Sequence, residues 1–166
     1  MTAVDEVLDR NRTYAGAFSD GDAPARPTLR LAVLTCIDGR VQPARFLRLG
    51  AGEAHVIRNA GGRCTDDALR SLIVSTRLLG TRECMVIHHT DCGMQTFTNE
   101  EVRTKLKSET GASADDIDFM PFTDLAASAR VDVRTIRGNP LLPDDLDVTA
   151  WIYDVRTGTL ERVAAD

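Results

Sequence analysis

Three short apolar runs, separated by helical patterns, leave this chain little choice of architecture. Residues 29–35, 54–58 and 83–88 have strand length, are rich in Val, Ile and Leu, and are bounded by turn residues. Thr65 opens a helical pattern running to about Leu79, with Ala68, Leu72 and Leu79 on its apolar side and Gly80 as a stop. Thr98-Asn99-Glu100-Glu101 is a capping-box signature for a second helix, ending near Gly111. A third is expected over 124–137, closed by Gly138-Asn139-Pro140. Strand and helix in alternation predict an α/β fold around a mainly parallel central sheet flanked by helices.

The two ends complete this picture. Residues 3–18 read as an amphipathic helix with Val4, Leu8, Ala15 and Phe18 near one face. A breaker-rich connection over 19–27 follows, so residues 1–28 are expected to form a helical arm, lying against a partner subunit. Residues 29–166 then form a single α/β domain. At the other end, Val148, Ala150, Ile152 and Asp154 alternate with Thr149, Trp151 and Tyr153. The chain turns at Thr157-Gly158 and returns through Leu160 and Val163, which predicts an edge hairpin. At 166 residues the chain can bury a real core without metal or disulfide staples.

In such a sheet, ligands collect at the carboxyl ends of the strands. Three ends carry chemistry: Cys36-Ile37-Asp38-Gly39-Arg40, the turn Asn59-Ala60-Gly61-Gly62, and His88-His89-Thr90-Asp91-Cys92-Gly93. Thiolates and a neutral imidazole are preferred zinc ligands, and Cys36, His89, Cys92 and Asp38 are enough for a tetrahedral shell. Any one cysteine or histidine alone is better read as a packed core residue. Jointly the pattern favours a metal. Structural zinc sites usually close with four Cys/His ligands, whereas here the fourth is Asp38 or water, which points to catalysis. Asp38 also stands two residues from Arg40, so it can choose between a metal and a guanidinium.

Cys36-x-Asp38-x-Arg40 with His89-x-x-Cys92, together with Arg58-Asn59-Ala60-Gly61 and Cys92-Gly93, resembles the β-class carbonic anhydrases, most of all the short bacterial members. The resemblance covers roughly residues 29–163. It implies Zn²⁺ on Cys36, His89 and Cys92, with water in the fourth position, or Asp38 in a closed state. It implies a catalytic Asp38–Arg40 dyad, a homodimer or tetramer, and reversible hydration of CO₂ to bicarbonate through zinc-bound hydroxide. Gly39 departs from the family, which more often has a small side chain there. The alternatives are hydrolysis of carbonyl sulfide or carbon disulfide on the same zinc, or a zinc-holding interaction domain with Asp38 permanently on the metal. A thiol enzyme using Cys92 stands well behind these.

The lesser signals are weighed singly. Asn59, Ala60, Gly61 and Gly62 are expected near the substrate anion, with backbone N–H groups turned to bicarbonate. His88 is expected to be a buried strand-end group bonded to backbone rather than a proton relay. His55 reads as packing or surface, Cys64 as small-residue packing and Cys84 as core. Asp91 is expected to shape the His89–Cys92 turn. The excess of 25 acidic over 20 basic side chains, without a basic stripe, excludes nucleic acid as the main partner. No apolar stretch reaches the roughly 20 residues of a membrane span. No secretory signal is visible either, which predicts a cytoplasmic address with reduced cysteines.

Overall fold

A strand buried on both faces satisfies its backbone only inside a sheet. That is where the computed structural model, which describes residues 1–164, places the apolar runs. β1 (Leu31–Cys36) lies between β2 (Ala54–Asn59) and β3 (Glu83–His89), and β3 pairs with β4 (Asp147–Tyr153), all parallel. β5 (Leu160–Arg162) adds antiparallel, with Trp151 opposite Arg162 and Tyr153 opposite Leu160, so the predicted edge hairpin is present. β1 begins at Leu31 rather than 29. Arg30 is left-handed (φ 54°), and its carbonyl accepts the N–H groups of Arg82 and Glu83 at the foot of β3.

Strand alternation divides the core in two. Ala32, Leu34, Val86 and Val148 pack with Leu72 of α3 (Asp66–Arg77) and Ile136 of α5 (Leu125–Arg137). Val33, Ile87 and Tyr153 pack the other way, onto Val41 and onto Phe46 of α2 (Pro43–Phe46). This four-residue helix shows no periodicity and was not expected from the sequence.

The helix caps follow the expected chemistry. Thr65 and Asp124 accept the N–H groups of Ala68 and Ala127, and Thr98 with Glu101 closes a full capping box on α4 (Asn99–Thr110). Gly111 ends α4 in the left-handed region (φ 74°), where glycine carries no Cβ penalty. α3 ends at Arg77 rather than near Leu79, because the N–H groups of Leu78 and Leu79 both return to the Val74 carbonyl.

α1 (Ala3–Gly16) is capped by Thr2 and Asp5, ends two residues before the expected 18, and buries none of its residues. Val4, Val7, Leu8 and Phe18 all remain more than half exposed.

Candidate metal centre

β1 and β3 are neighbours and end together, so Cys36 and His89 arrive at the same edge of the sheet. Thr90 donates its N–H to the Tyr153 carbonyl, and Asp91 adopts a left-handed conformation (φ 56°) that aspartate tolerates. The chain thereby doubles back and brings Cys92 beside the other two. One ligating atom from each of Cys36, His89 and Cys92 lies within 4.8 Å of the others, and all three residues are buried.

His89 carries the clearest sign of what belongs there. Its Nδ1–H donates to the Thr90 carbonyl at 2.9 Å, which fixes the tautomer and leaves the lone pair on Nε2. Nε2 is buried and has no hydrogen-bond partner. A buried orphan acceptor costs about 1–3 kcal/mol, unless something such as a metal takes the lone pair. The sulfurs point the same way. A hydrogen bond from Cys92 outweighs burial and pulls the Cys36 thiol down to about 3, while the same contact pushes Cys92 up. Two thiolates this close would repel each other, and a dication between them would remove that cost. The donor set fits a soft to borderline divalent ion in a closed pocket.

Asp38 stands beside this group. Its Oδ1 accepts from the Arg40 backbone N–H at 2.9 Å and from Arg40 Nε at 3.0 Å, while its Oδ2 accepts from Nη2 at 2.7 Å. These bonds hold the Asp38 carboxyl far below the usual carboxylate range and raise Arg40. Oδ2 is 4.0 Å from His89 Nε2. Arg40 also reaches Asp91 through Nη1 to Oδ2 (2.6 Å) and Nη2 to the Asp91 carbonyl (2.9 Å), so the turn that delivers Cys92 is tied to the dyad.

Arg58, whose role was not read from the sequence, donates to the carbonyls of Cys36 (3.0 Å) and Asp38 (2.8 Å). It pins the backbone that carries both residues. The Asn59–Gly62 turn is committed inward. Asn59 Nδ2 donates to the Arg63 carbonyl and Asn59 Oδ1 accepts the Arg63 N–H, both at 2.7 Å, while the N–H that reaches the Cys36 sulfur is that of Asp38, at 3.5 Å. Gly39 has no heavy atom within 4 Å of where a Cβ would stand, so the dyad loop does not require glycine there.

His88 differs from its expected backbone bond. Alternation turns it towards α5, where Nε2 donates to Asp132 at 3.1 Å. The sequence signal was available: Asp132 is a charge on the stripe Ser128, Ala129, Val133 and Ile136 that α5 buries. His55 bonds Ser75 at 2.7 Å and the Ala25 carbonyl at 3.2 Å, tying the connection from α1 to the sheet edge. Cys64 and Cys84 are buried free thiols, each pushed up to about 12 by desolvation, and neither acts as a nucleophile at neutral pH.

The carbonic anhydrase family model matches residues 31–160. "Beta-carbonic anhydrase 1" of Mycobacterium tuberculosis is 41% identical over 165 residues, covering 98% of this chain and 99% of that protein. A carbon disulfide hydrolase of Acidianus is 37% identical, covering 96% of this chain and 88% of that protein. Among solved structures, the carbonic anhydrase of Streptococcus mutans superposes with a TM-score of 0.95 at 44% identity, covering 99% of each chain.

Proposed function

The chain belongs to the β-class carbonic anhydrase family and is a carbonic anhydrase, and we propose that its reaction runs on zinc held by Cys36, His89 and Cys92. The observation that carries this reading is the buried, unpartnered Nε2 of His89, which lies with the Cys36 and Cys92 sulfurs in a group whose ligating atoms are all within 4.8 Å of one another. Zinc bound there would act as a Lewis acid and lower the pKa of water to about 7.

The chain's own residues supply orientation. Asp38 accepts the hydrogen bond of the attacking water and turns its lone pair towards the carbon of CO₂. Arg40 grips Asp38 with two parallel donors, so the carboxylate stays ionised and does not wander onto the metal. Arg58 holds the carbonyls of Cys36 and Asp38 and keeps ligand and orienting group in fixed relation. With zinc bound, Asp38 could also serve as a fourth ligand and leave the site off, and Arg40's hold on the carboxylate would set that balance. The backbone of Asn59, Ala60, Gly61 and Gly62 borders the site. Gly61 and Gly62 are buried, so contact with bicarbonate falls to the exposed Ala60.

Carbon disulfide hydrolysis is the second reading, supported by the 37% identity to the Acidianus enzyme. The interaction-domain alternative needs Asp38 on the metal, and its carboxylate is engaged by Arg40 instead. We place residues 1–28 as an arm that docks on a second copy in a homodimer or tetramer, because α1 shows its apolar side chains to solvent. An isolated 14-residue helix is marginal in water. We also place the protein in the cytoplasm, in keeping with four free thiols. No helix among the described residues is long and apolar enough to cross a membrane.

Stopped-flow CO₂ hydration between pH 6.5 and 9, on protein of measured zinc content, tests the assignment. Wild type should hydrate CO₂ with about one zinc per chain, and Cys36→Ser should lose both metal and activity. Full zinc in Cys36→Ser would overturn the ligand set.

A further inference from the structure

One buried cluster has no part in the proposed reaction. Asp132, only 1% exposed, accepts from Arg63 Nε at 2.8 Å, His88 Nε2 at 3.1 Å and the Cys64 N–H at 3.1 Å. Arg63 extends Nη1 to the Met120 carbonyl at 2.7 Å. Such a cluster is a poor source of stability, since desolvation offsets the attraction. His88 adds to the cost, because its Nδ1 is buried with no hydrogen-bond partner. A leucine at 88 would carry no such penalty.

What the cluster does hold is Phe122. The His88 and Phe122 rings stack with centroids 5.3 Å apart and 23° between planes. The Arg63 guanidinium lies 5.6 Å from the Phe122 centroid, and Phe122 donates its N–H to the Met94 carbonyl at 3.2 Å. Arg63's bond to Met120 grips the same loop two residues earlier, where the backbone is left-handed (φ 55°). Phe122 in turn packs against the buried group of Cys36, Cys92 and Met94. One ring therefore joins the charged cluster to the metal ligands.

We infer that Phe122 is the specificity-determining wall of the metal site, and that Arg63, Asp132 and His88 are positioning residues that hold it. The inference rests on the proposed reaction at Cys36, His89 and Cys92. The substrates it separates are linear molecules with an electrophilic central carbon. CO₂, carbonyl sulfide and carbon disulfide share that shape and differ mainly in the size of their terminal atoms. An aromatic face tolerates all three chemically, so it discriminates by length. It can do so only if it cannot retreat, and stacking, cation–π contact and loop hydrogen bonds together block retreat. A size step of this order in an apolar pocket changes kcat/KM by about 10–200-fold.

The test compares CO₂ hydration with carbonyl sulfide hydrolysis, in which carbonyl sulfide and water give CO₂ and hydrogen sulfide, read as released sulfide. Zinc-loaded wild type, Phe122→Leu, Phe122→Ala and Arg63→Lys are assayed for both substrates. Phe122→Ala should raise the carbonyl sulfide to CO₂ ratio of kcat/KM by about tenfold or more, with Phe122→Leu between it and wild type. Lysine cannot span Asp132 and Met120 as the guanidinium does, so Arg63→Lys should move the ratio the same way, and should add nothing on a Phe122→Ala background. If Phe122→Ala fails to hold zinc, the leucine variant decides. An unchanged ratio in a fully metallated Phe122→Leu overturns the wall, and an unchanged ratio in Arg63→Lys overturns the positioning role. In either case wild type still hydrates CO₂, whereas failure of the proposed function shows as wild type without CO₂ hydration.

Discussion

Gly62→Ala should strike stability and metal binding together, and its cost follows from three distances. Gly62 sits at φ 68°, and a Cβ there would stand 2.9 Å from both Cα and C of Thr35 and 3.0 Å from the nitrogen of Cys36. All three are backbone atoms of β1, which is hydrogen-bonded on both sides to β2 and β3. No flexible side chain can move aside, so the strand or the turn must shift. The left-handed conformation costs an L-residue about 1–2 kcal/mol, and overpacking in a close-packed interior adds about 1–3 kcal/mol. Together they predict a loss of about 2–5 kcal/mol, or a fall in Tm of roughly 4–20 °C for a chain of this size. The displaced atoms belong to Cys36 and its neighbour, so zinc content should fall as well. Gly39→Ala is the control: its φ is not in the left-handed region and nothing lies within 4 Å of its Cβ position. Its stability should stay within about 0.5 kcal/mol of wild type. Thermal and urea unfolding at one protomer concentration, with zinc content measured on the same samples, decides the matter. A Gly62→Ala protein that melts within about 2 °C of wild type and keeps full zinc would refute the steric reasoning.

Asp132→Ala should cost about 3–5 kcal/mol in urea unfolding, because it strands the Arg63 charge in the interior, whereas Asp132→Asn should cost less. Burial would raise the Asp132 pKa, but His88 and Arg63 outweigh it and hold the carboxyl below its ordinary value. A depressed folded pKa contributes stability above the unfolded value of about 3.9 and loses it as pH falls towards the folded value. The gap in unfolding free energy between wild type and Asp132→Asn should therefore narrow below about pH 4, and a gap that widens there would contradict the ion pair. Arg40→Lys keeps the charge but cannot hold both Asp38 oxygens and Asp91 at once. It should retain one zinc per chain while kcat falls about 10–100-fold in stopped-flow assay.

The strands and their parallel sheet were legible because a run buried on both faces has one home, the middle of such a sheet. Once Cys36 and His89 were set at strand ends, their meeting followed from topology alone. What stayed hidden depends on partners far apart in the chain. Arg58 reads as an ordinary strand-end charge, and only folding shows that it holds carbonyls 22 and 20 residues away. Arg63 meets Asp132 across 69 residues, although an aspartate on the buried stripe of α5 was a visible anomaly. The dipeptide His88-His89 joins the two cases. Adjacent residues in a strand point to opposite faces, so two identical side chains cannot serve one site from the same side. The register decides between them. Cys36 and His88 continue the α5-facing rows of their strands, while His89 comes off the opposite face and reaches the metal beyond the strand end. Because Cys36 and His88 share a face, Phe122 can touch the ligand group and the charged cluster at once. A substitution at His88 should then change the site by loosening that ring rather than by losing a ligand, which leaves zinc stoichiometry intact while substrate preference moves.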